Sequence, residues 1–332
     1  MREFEPHPLL RNSDLMTLAA AFWPREFPGL NRAVDRLFEV EPGTQILGRC
    51  HWQAEPRRHP ALVLVHGLEG SSESNYMLGT AEQTFRRGFN VVRMNQRNCG
   101  GTERLTPTLY NSGLSGDVRA VVQQLIEHDG LPEVFAAGFS MGGNLVLKMT
   151  GEFGKAVPRE FRGAAAVCPS IELAACADAI GKARNFVYER HFVRNLKRRM
   201  RLKASLFPER YPLDGLGRVR SVREFDDVIT ARFCGFRDAD DYYARSSASR
   251  VIGAIGVPAL IVTAQDDPMV PYAAFQNPAL QSNPHITLLA PRHGGHCAFI
   301  SRREGDERFW AEARVAEFCA KESVQLRVGF RD

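Results

Sequence analysis

Residues 136–144 read Ala-Ala-Gly-Phe-Ser-Met-Gly-Gly-Asn. Ser140 stands between Gly138 and Gly142, with an apolar run at 134–139 before it and a helix-like run at 142–153 after it. Two readings are open: an ordinary glycine-rich turn, or a sharp strand-to-helix bend that holds a hydroxyl out for attack. The second requires φ > 0 at the serine, at a cost of roughly 1–2 kcal/mol for a residue other than glycine. It also requires very small side chains two positions to either side, where strand and helix pass closely, and Gly138 and Gly142 meet that need. Gly-x-Ser-x-Gly is weak by itself and gains meaning only between a strand and a helix.

The flanking sequence supplies that context. Ala61-Leu62-Val63-Leu64-Val65 is a short continuous apolar run closed by His66-Gly67, the pattern of a strand buried on both faces. An amphipathic helix is expected over 74–87, stopped by Gly88, then a strand over 89–94. Helical spacing of Val118, Val121, Val122, Leu125 and Ile126 predicts a helix over 115–128. A strand at 134–139, a helix at 142–153 and a strand at 163–168 follow. Strands alternating with helices imply an α/β fold with a mostly parallel central sheet flanked by helices. Between about 170 and 250 the alternation breaks into a basic, helical-looking stretch. Strand-like runs return at 258–264 and 285–289, and a helix over 308–320 closes the core. The expected organisation is therefore an extension over 1–55, read as irregular and packing on the core, a core made of 56–169 and 251–332, and a helical cap or lid insertion at 170–250.

A serine in such a bend needs a base and a group to orient it, in chain order Ser, then Asp or Glu, then His. After the strand containing Leu260-Ile261-Val262 comes Asp266-Asp267-Pro268, and after the next strand comes Arg292-His293-Gly294-Gly295-His296. Both loops leave the C-terminal edge of a parallel sheet, where ligands bind. Asp267 is the preferred acid because it directly precedes Pro268, with Asp266 as the alternative. His296 is preferred to His293 because Gly294-Gly295 frees its loop to reach Ser140. The oxyanion of a tetrahedral intermediate needs two backbone N–H donors. These are assigned to Met141, directly after the serine, and to Leu68 on the loop His66-Gly67-Leu68-Glu69-Gly70. His66 falls in the wrong chain order for a base and is given a structural role in that loop.

Composition limits the alternatives. The 332 residues are 44% hydrophobic and 24% charged, as in ordinary globular proteins. A net charge of +5 does not point to nucleic acid. Met1–Pro6 carries charge of both signs and no apolar run, and no apolar stretch approaches a membrane span. Seven cysteines without Cys-x-x-Cys argue against a disulfide framework and fit a reducing compartment, so a cytoplasmic location is expected. No Walker A loop or dinucleotide fingerprint occurs, and no cofactor is expected. His293 and His296 lack an obvious third ligand, so no metal is assigned.

An ordered set of motifs resembles the α/β-hydrolases, and more narrowly the YheT-like group (the AB-hydrolase-4 family, with the eukaryotic ABHD-type lipases). The stretches are Leu10-Arg11-Asn12, HGLEGSSES at 66–74, TPTLYNSG at 106–113, GFSMGGNLVLK at 138–148, FDDVITARFCGF at 225–236, DYYARSSA at 241–248, DDPMVP at 266–271 and GGHCAF at 294–299. The resemblance implies a triad at Ser140, Asp267 and His296, the same residues reached from the bottom up. The chain departs from the family pattern in three places. Asn95-Gln96-Arg97-Asn98-Cys99 replaces an Asn-x-Arg-Gly-like run, with Asn98 a residue that tolerates φ > 0. Cys297-Ala298 stands where Val-Gly is usual, and Ser13-Asp14-Leu15-Met16-Thr17 where a Gly-His-Leu-Gln-Thr-like run is typical.

The expected function is a serine hydrolase of carboxylic esters working through an acyl-enzyme on a small-molecule, lipid-like ester. Two rivals are an acyltransferase using the same triad and a non-catalytic lipid-binding protein of the same fold. The basic stretch 182–203 repeats Phe186, Val193, Leu196 and Met200 at helical spacing. It reads either as a surface for anionic membrane or nucleic acid, or as a lid helix with its charges in water. The lid helix is preferred, although weak peripheral membrane contact would suit a lipid-like substrate. Tyr242 and Tyr243 are expected to pack rather than to line a pocket.

Overall fold

Residues 34–51 are not irregular. In the computed structural model, which describes residues 2–324 and 326, they form a hairpin of β1 (Val34–Glu41) and β2 (Thr44–His51). The run Val-Asp-Arg-Leu-Phe-Glu-Val-Glu buries only alternate residues on one face, with Phe38 fully covered. Asp35, Glu39 and Glu41 are exposed, while Arg36 lies over the Phe38 ring and pairs with Asp129, so the segment lacks the apolar continuity that marks the central strands. Gly43, at φ 71, makes the turn.

The hairpin extends the sheet on one side. The strands that follow are β3 (Ala61–Val65), β4 (Asn90–Met94), β5 (Val134–Phe139), β6 (Phe161–Val167), β7 (Ala259–Val262) and β8 (Ile286–Leu289). Their spatial order is β1-β2-β4-β3-β5-β6-β7-β8. The β1–β2 and β2–β4 pairs are antiparallel, and every pair from β4 to β8 is parallel.

The pleat sends alternate side chains into two separate layers. Val63, Val65, Val92 and Ala136 pack against Val118, Val121, Val122 and Leu125 of α3 (Ser115–Glu127) and Leu145 and Val146 of α4 (Met141–Phe153). Leu62, Leu64, Val91 and Phe135 pack against Met77 and Ala81 of α2 (Asn75–Phe85) and Trp310, Val315 and Phe318 of α11 (Trp310–Glu322). Each Val or Leu buried this way contributes about 1.5–3 kcal/mol, and the central strands are buried throughout for that reason. The remaining early helix, α1 (Ser13–Phe22), is capped by Asn12, whose side chain accepts from the N–H groups of Asp14 and Leu15. Its Met16 is fully buried beside Ala298 and Ile300.

Between β6 and β7 the chain leaves the sheet to form α5 (Leu173–Ile180), α6 (Phe186–Leu206), α7 (Val222–Phe225), a π-helical turn Asp226–Ala231, α8 (Arg232–Cys234) and α9 (Ala239–Ser246). The short helix α10 (Pro278–Gln281) lies between β7 and β8. The insertion has its own small core, in which Val193, Leu196 and Met200 of α6 meet Tyr211, Val219, Phe225 and Met269. Phe186 is not part of that stripe. It is 60% exposed at the start of α6.

Asn144 ties the insertion to the sheet. Its Nδ2 donates to the carbonyls of Ser112 (3.1 Å) and Ser246 (2.9 Å), and its Oδ1 accepts from the N–H of Ala248 (2.8 Å). Among the described residues no helix is long and apolar enough to cross a membrane.

Candidate active site

Ser140 sits at the junction of β5 and α4 with φ 53 and ψ −120. Its N–H donates to the Val167 carbonyl at 2.9 Å, which fixes the bend to the neighbouring strand. The two flanking glycines are sterically required. A Cβ on Gly138 would overlap the carbonyl of Gly142, and a Cβ on Gly142 would overlap the carbonyls of Val65 and His66.

The C-terminal edge of the sheet brings three sequence-predicted residues together. His296 Nε2 lies 3.0 Å from Ser140 Oγ, and His296 Nδ1 lies 2.8 Å from Asp267 Oδ2. The Asp267 carboxylate is fully buried, and its other oxygen accepts from the N–H groups of Met269 (2.8 Å) and Val270 (3.0 Å). That loop geometry aims one carboxylate oxygen at the imidazole. Asp266 points elsewhere. One of its oxygens accepts from the Gly295 N–H at 3.0 Å and the other lies 3.3 Å from His293 Nδ1. Asp266 therefore braces the loop that carries His296, and His293 stays outside the Ser140 contact.

Burial alone would push the His296 pKa down. The Asp267 carboxylate, with the Cys297 sulfur beside it, outweighs burial and holds the pKa well above the ordinary value of 6.5. The imidazole can thus accept a proton from Ser140 and keep it while Asp267 faces it.

Leu68 and Met141 line the same cavity as Ser140 and His296. The Met141 N–H begins α4, where the helix dipole favours a developing negative charge. The Leu68 loop is held by His66, which is fully buried. Its Nε2 accepts from the Gln96 N–H at 3.1 Å and its Nδ1 lies 2.8 Å from the Gly67 carbonyl. Burial lowers its pKa to about 4, so His66 stays neutral and keeps one tautomer. Asn98 takes φ 64, so the turn survives the replacement of glycine there.

Four features were not read as functional in the sequence. The Thr17 hydroxyl accepts from the His296 N–H at 2.9 Å, so α1 supports the histidine loop. Arg199 of α6 reaches the loop that carries Leu68, its Nε donating to Glu69 Oε1 at 2.7 Å. Tyr110 donates to the same oxygen at 2.6 Å, and Arg199 also donates to the Asn98 carbonyl. Asp226 lines the cavity from the π-helical turn, accepting from Thr230 (2.7 Å) and Tyr243 (2.8 Å), and burial raises its pKa to about 6. Cys168 and Cys297 meet beside His296. Thr17, Glu69, Tyr110, Asp226 and Cys297 lie in motif stretches or departures already noted in the sequence, and Arg199 in the basic stretch 182–203, but none of them was given a role there.

The cavity has a volume of about 110 Å³ and a largely apolar wall that includes Leu109, Ile180, Phe192, Leu196, Met200 and Val222. Tyr242 and Tyr243 line it as well as packing together, with ring centroids 5.2 Å apart, so the packing expectation was incomplete.

A family model described as alpha/beta hydrolase fold matches residues 60–302. The chain is similar to YheT of Escherichia coli, named as an esterase, at 33% identity over 267 residues, covering 80% of this chain and 78% of that protein. It is similar to phospholipase ABHD3 of mouse at 30% identity over 243 residues, covering 73% of this chain and 58% of that protein. The chain thus spans most of the bacterial relative and a smaller part of the mouse one. Among solved structures, a 2,6-dihydroxy-pseudo-oxynicotine hydrolase superposes with a TM-score of 0.61 at 17% identity, covering 94% of this chain and 72% of that one. At that identity the likeness concerns the fold.

Proposed function

The chain belongs to the alpha/beta hydrolase family, in its YheT-like group, and from that premise we propose that it is a serine hydrolase of carboxylic esters. Ser140 Oγ attacks the ester carbonyl while His296 Nε2 takes its proton. Asp267 keeps the imidazole in the tautomer that can do so and stabilises it once charged. The N–H groups of Leu68 and Met141 hold the tetrahedral oxyanion. As the intermediate collapses, His296 returns the proton to the departing alcohol. Water, deprotonated by the same imidazole, then attacks the acyl-enzyme, and the acid leaves with Ser140 restored.

The observation that carries this reading is the 3.0 Å approach of His296 Nε2 to a serine held at positive φ, at the mouth of an apolar cavity. The apolar wall favours the acyl side of a lipid-like ester over a polar substrate. A fluorophosphonate probe tests the assignment. The wild-type chain should be labelled at one site, and Ser140→Ala should lose labelling while keeping its circular dichroism spectrum. Equal labelling of the variant would remove Ser140 from the role.

A further inference from the structure

The Cys297 departure noted in the sequence gains meaning from what lies beside it. Cys168 directly follows β6 at φ 44, and Cys297 directly follows His296 at φ 57. Left-handed backbone at a residue other than glycine costs of order 1–3 kcal/mol, and here it occurs at both members of a facing pair. The Cys297 N–H donates to Cys168 Sγ at 3.3 Å. The Cys297 thiol donates to the Val167 carbonyl at 3.5 Å, and the Cys168 thiol lies 3.7 Å from the Gly295 carbonyl. Both sulfurs are thus held by backbone from the strand end and from the histidine loop. Among the described residues, Cys168, His296 and Cys297 form a group whose ligand atoms all lie within 4.8 Å of one another.

We propose that Cys168, Cys297 and His296 form a binding site for a thiophilic divalent cation, and that an ion held there interrupts the Ser140–His296–Asp267 chain at His296. Two sulfurs and an imidazole nitrogen are the donor set that soft and borderline cations such as Zn²⁺ and Cd²⁺ prefer. In tetrahedral zinc sites, metal–sulfur bonds of about 2.3 Å and metal–nitrogen bonds of about 2.0 Å place neighbouring ligand atoms roughly 3.3–3.8 Å apart. Modest side-chain rotations bring a 4.8 Å group to that spacing. Binding replaces each S–H bond with an S–metal bond, and two protons leave to solvent. The imidazole gives a lone pair from Nδ1 or Nε2, and those atoms face Asp267 and Ser140 respectively. Either choice breaks one link of the Ser140–His296–Asp267 chain. Cys168 is fully buried and Cys297 half-buried, and of the three only His296 lines the cavity, which gives an ion one route to the group.

The inhibition part rests on the hydrolase reading, and the binding part does not. For binding, Cd²⁺ is titrated into the full chain carrying Ser140→Ala. One ion per chain should bind and give an ultraviolet cadmium–thiolate band, and adding Cys297→Ala should abolish the band. No band in the first protein, or an unchanged band in the second, overturns the site. For inhibition, Zn²⁺ is titrated against ester hydrolysis, each protein being referred to its own zinc-free rate. Wild type should lose activity and regain it with a chelator. Cys168→Ala and Cys297→Ala should each raise the half-inhibiting concentration at least tenfold. If both variants are inhibited as readily as wild type, zinc acts elsewhere and the coupling to His296 is wrong. Should Cys168→Ala fail to fold, the half-buried Cys297 carries the comparison alone. If wild type shows no hydrolysis, the proposed function fails while the cadmium measurement still decides the site.

Discussion

Asp267 and Asp266 are neighbours in sequence with different surroundings, and that difference sets their roles. Asp267 is fully buried, with one oxygen fixed by two backbone N–H groups and the other 2.8 Å from His296 Nδ1. Asp266 spends its oxygens on Gly295 and His293. Asp267→Asn should therefore lower kcat by about 10⁴-fold, as expected when an imidazole loses control of its tautomer. Asp266→Asn should cost far less, because it loosens a loop without touching the imidazole. A pH profile adds an independent check. His296 acts as a base only when neutral, and its pKa stands well above 6.5 in the presence of Asp267. The acid limb of kcat/KM should accordingly lie above 6.5 in wild type, with activity lost as pH falls through it. Removing the carboxylate charge should move the limb to lower pH in Asp267→Asn. An acid limb that stays in place, with only the plateau reduced, would show that Asp267 does not set the charge on His296.

At the level of elements, several side chains couple the helical insertion to the core, and two of them, Asn144 and Arg199, lead to predictions. Asn144 makes three hydrogen bonds to Ser112, Ser246 and Ala248, all buried. Asn144→Ala leaves these backbone groups without that partner and should destabilise the chain by on the order of 3 kcal/mol. Denaturant unfolding should show a lower midpoint with an unchanged slope. Arg199 acts differently, gripping Glu69 directly after Leu68 in a loop where Glu69 itself takes φ 58. In the mechanism proposed above it would position the Leu68 N–H. Arg199→Ala should lower kcat roughly tenfold, against the 10²–10³ of losing an oxyanion donor outright, with little change in KM. Arg199→Lys should restore part of the rate, since it keeps the charge without the two-pronged contact. A change in KM alone would make Arg199 a cavity wall and nothing more. These couplings also mark what the sequence could convey. The strands β3, β4, β5 and β6 were legible because burial on both faces makes them continuously apolar. The hairpin β1–β2 was not, because an edge hairpin dilutes its pattern with Asp35, Arg36, Glu39 and Glu41. Ser140, Asp267 and His296 could be singled out because each follows a strand at the same sheet edge. Arg199–Glu69 and Cys168–Cys297 could not, because each joins positions about 130 residues apart through contacts that no local period encodes.

For the whole molecule, the question is what the insertion does above the sheet edge. Its helices close a cavity whose wall is apolar at Ile180, Phe192, Leu196, Met200 and Val222, with Ser140 and His296 at one point on the surface. Phe186 lies outside it and is largely exposed, so it adds nothing to the wall. If this space receives the acyl group, each methylene that enters leaves water for a hydrocarbon wall and contributes about 0.8 kcal/mol. Where that energy is realised in the transition state, kcat/KM should rise about three- to fourfold per added methylene until the cavity is full. With a volume of about 110 Å³ the cavity is finite, so the rise should end in a plateau rather than continue. Hydrolysis of p-nitrophenyl esters from acetate to laurate measures both the slope and the chain length at which it breaks. Replacing Leu196 with Phe should move the break to a shorter chain without changing the slope below it, because the wall advances while the contacts nearer Ser140 stay the same. A series that peaks at acetate and falls with each added carbon would mean that the insertion excludes the acyl chain, and the alcohol side of the ester would then have to occupy the cavity.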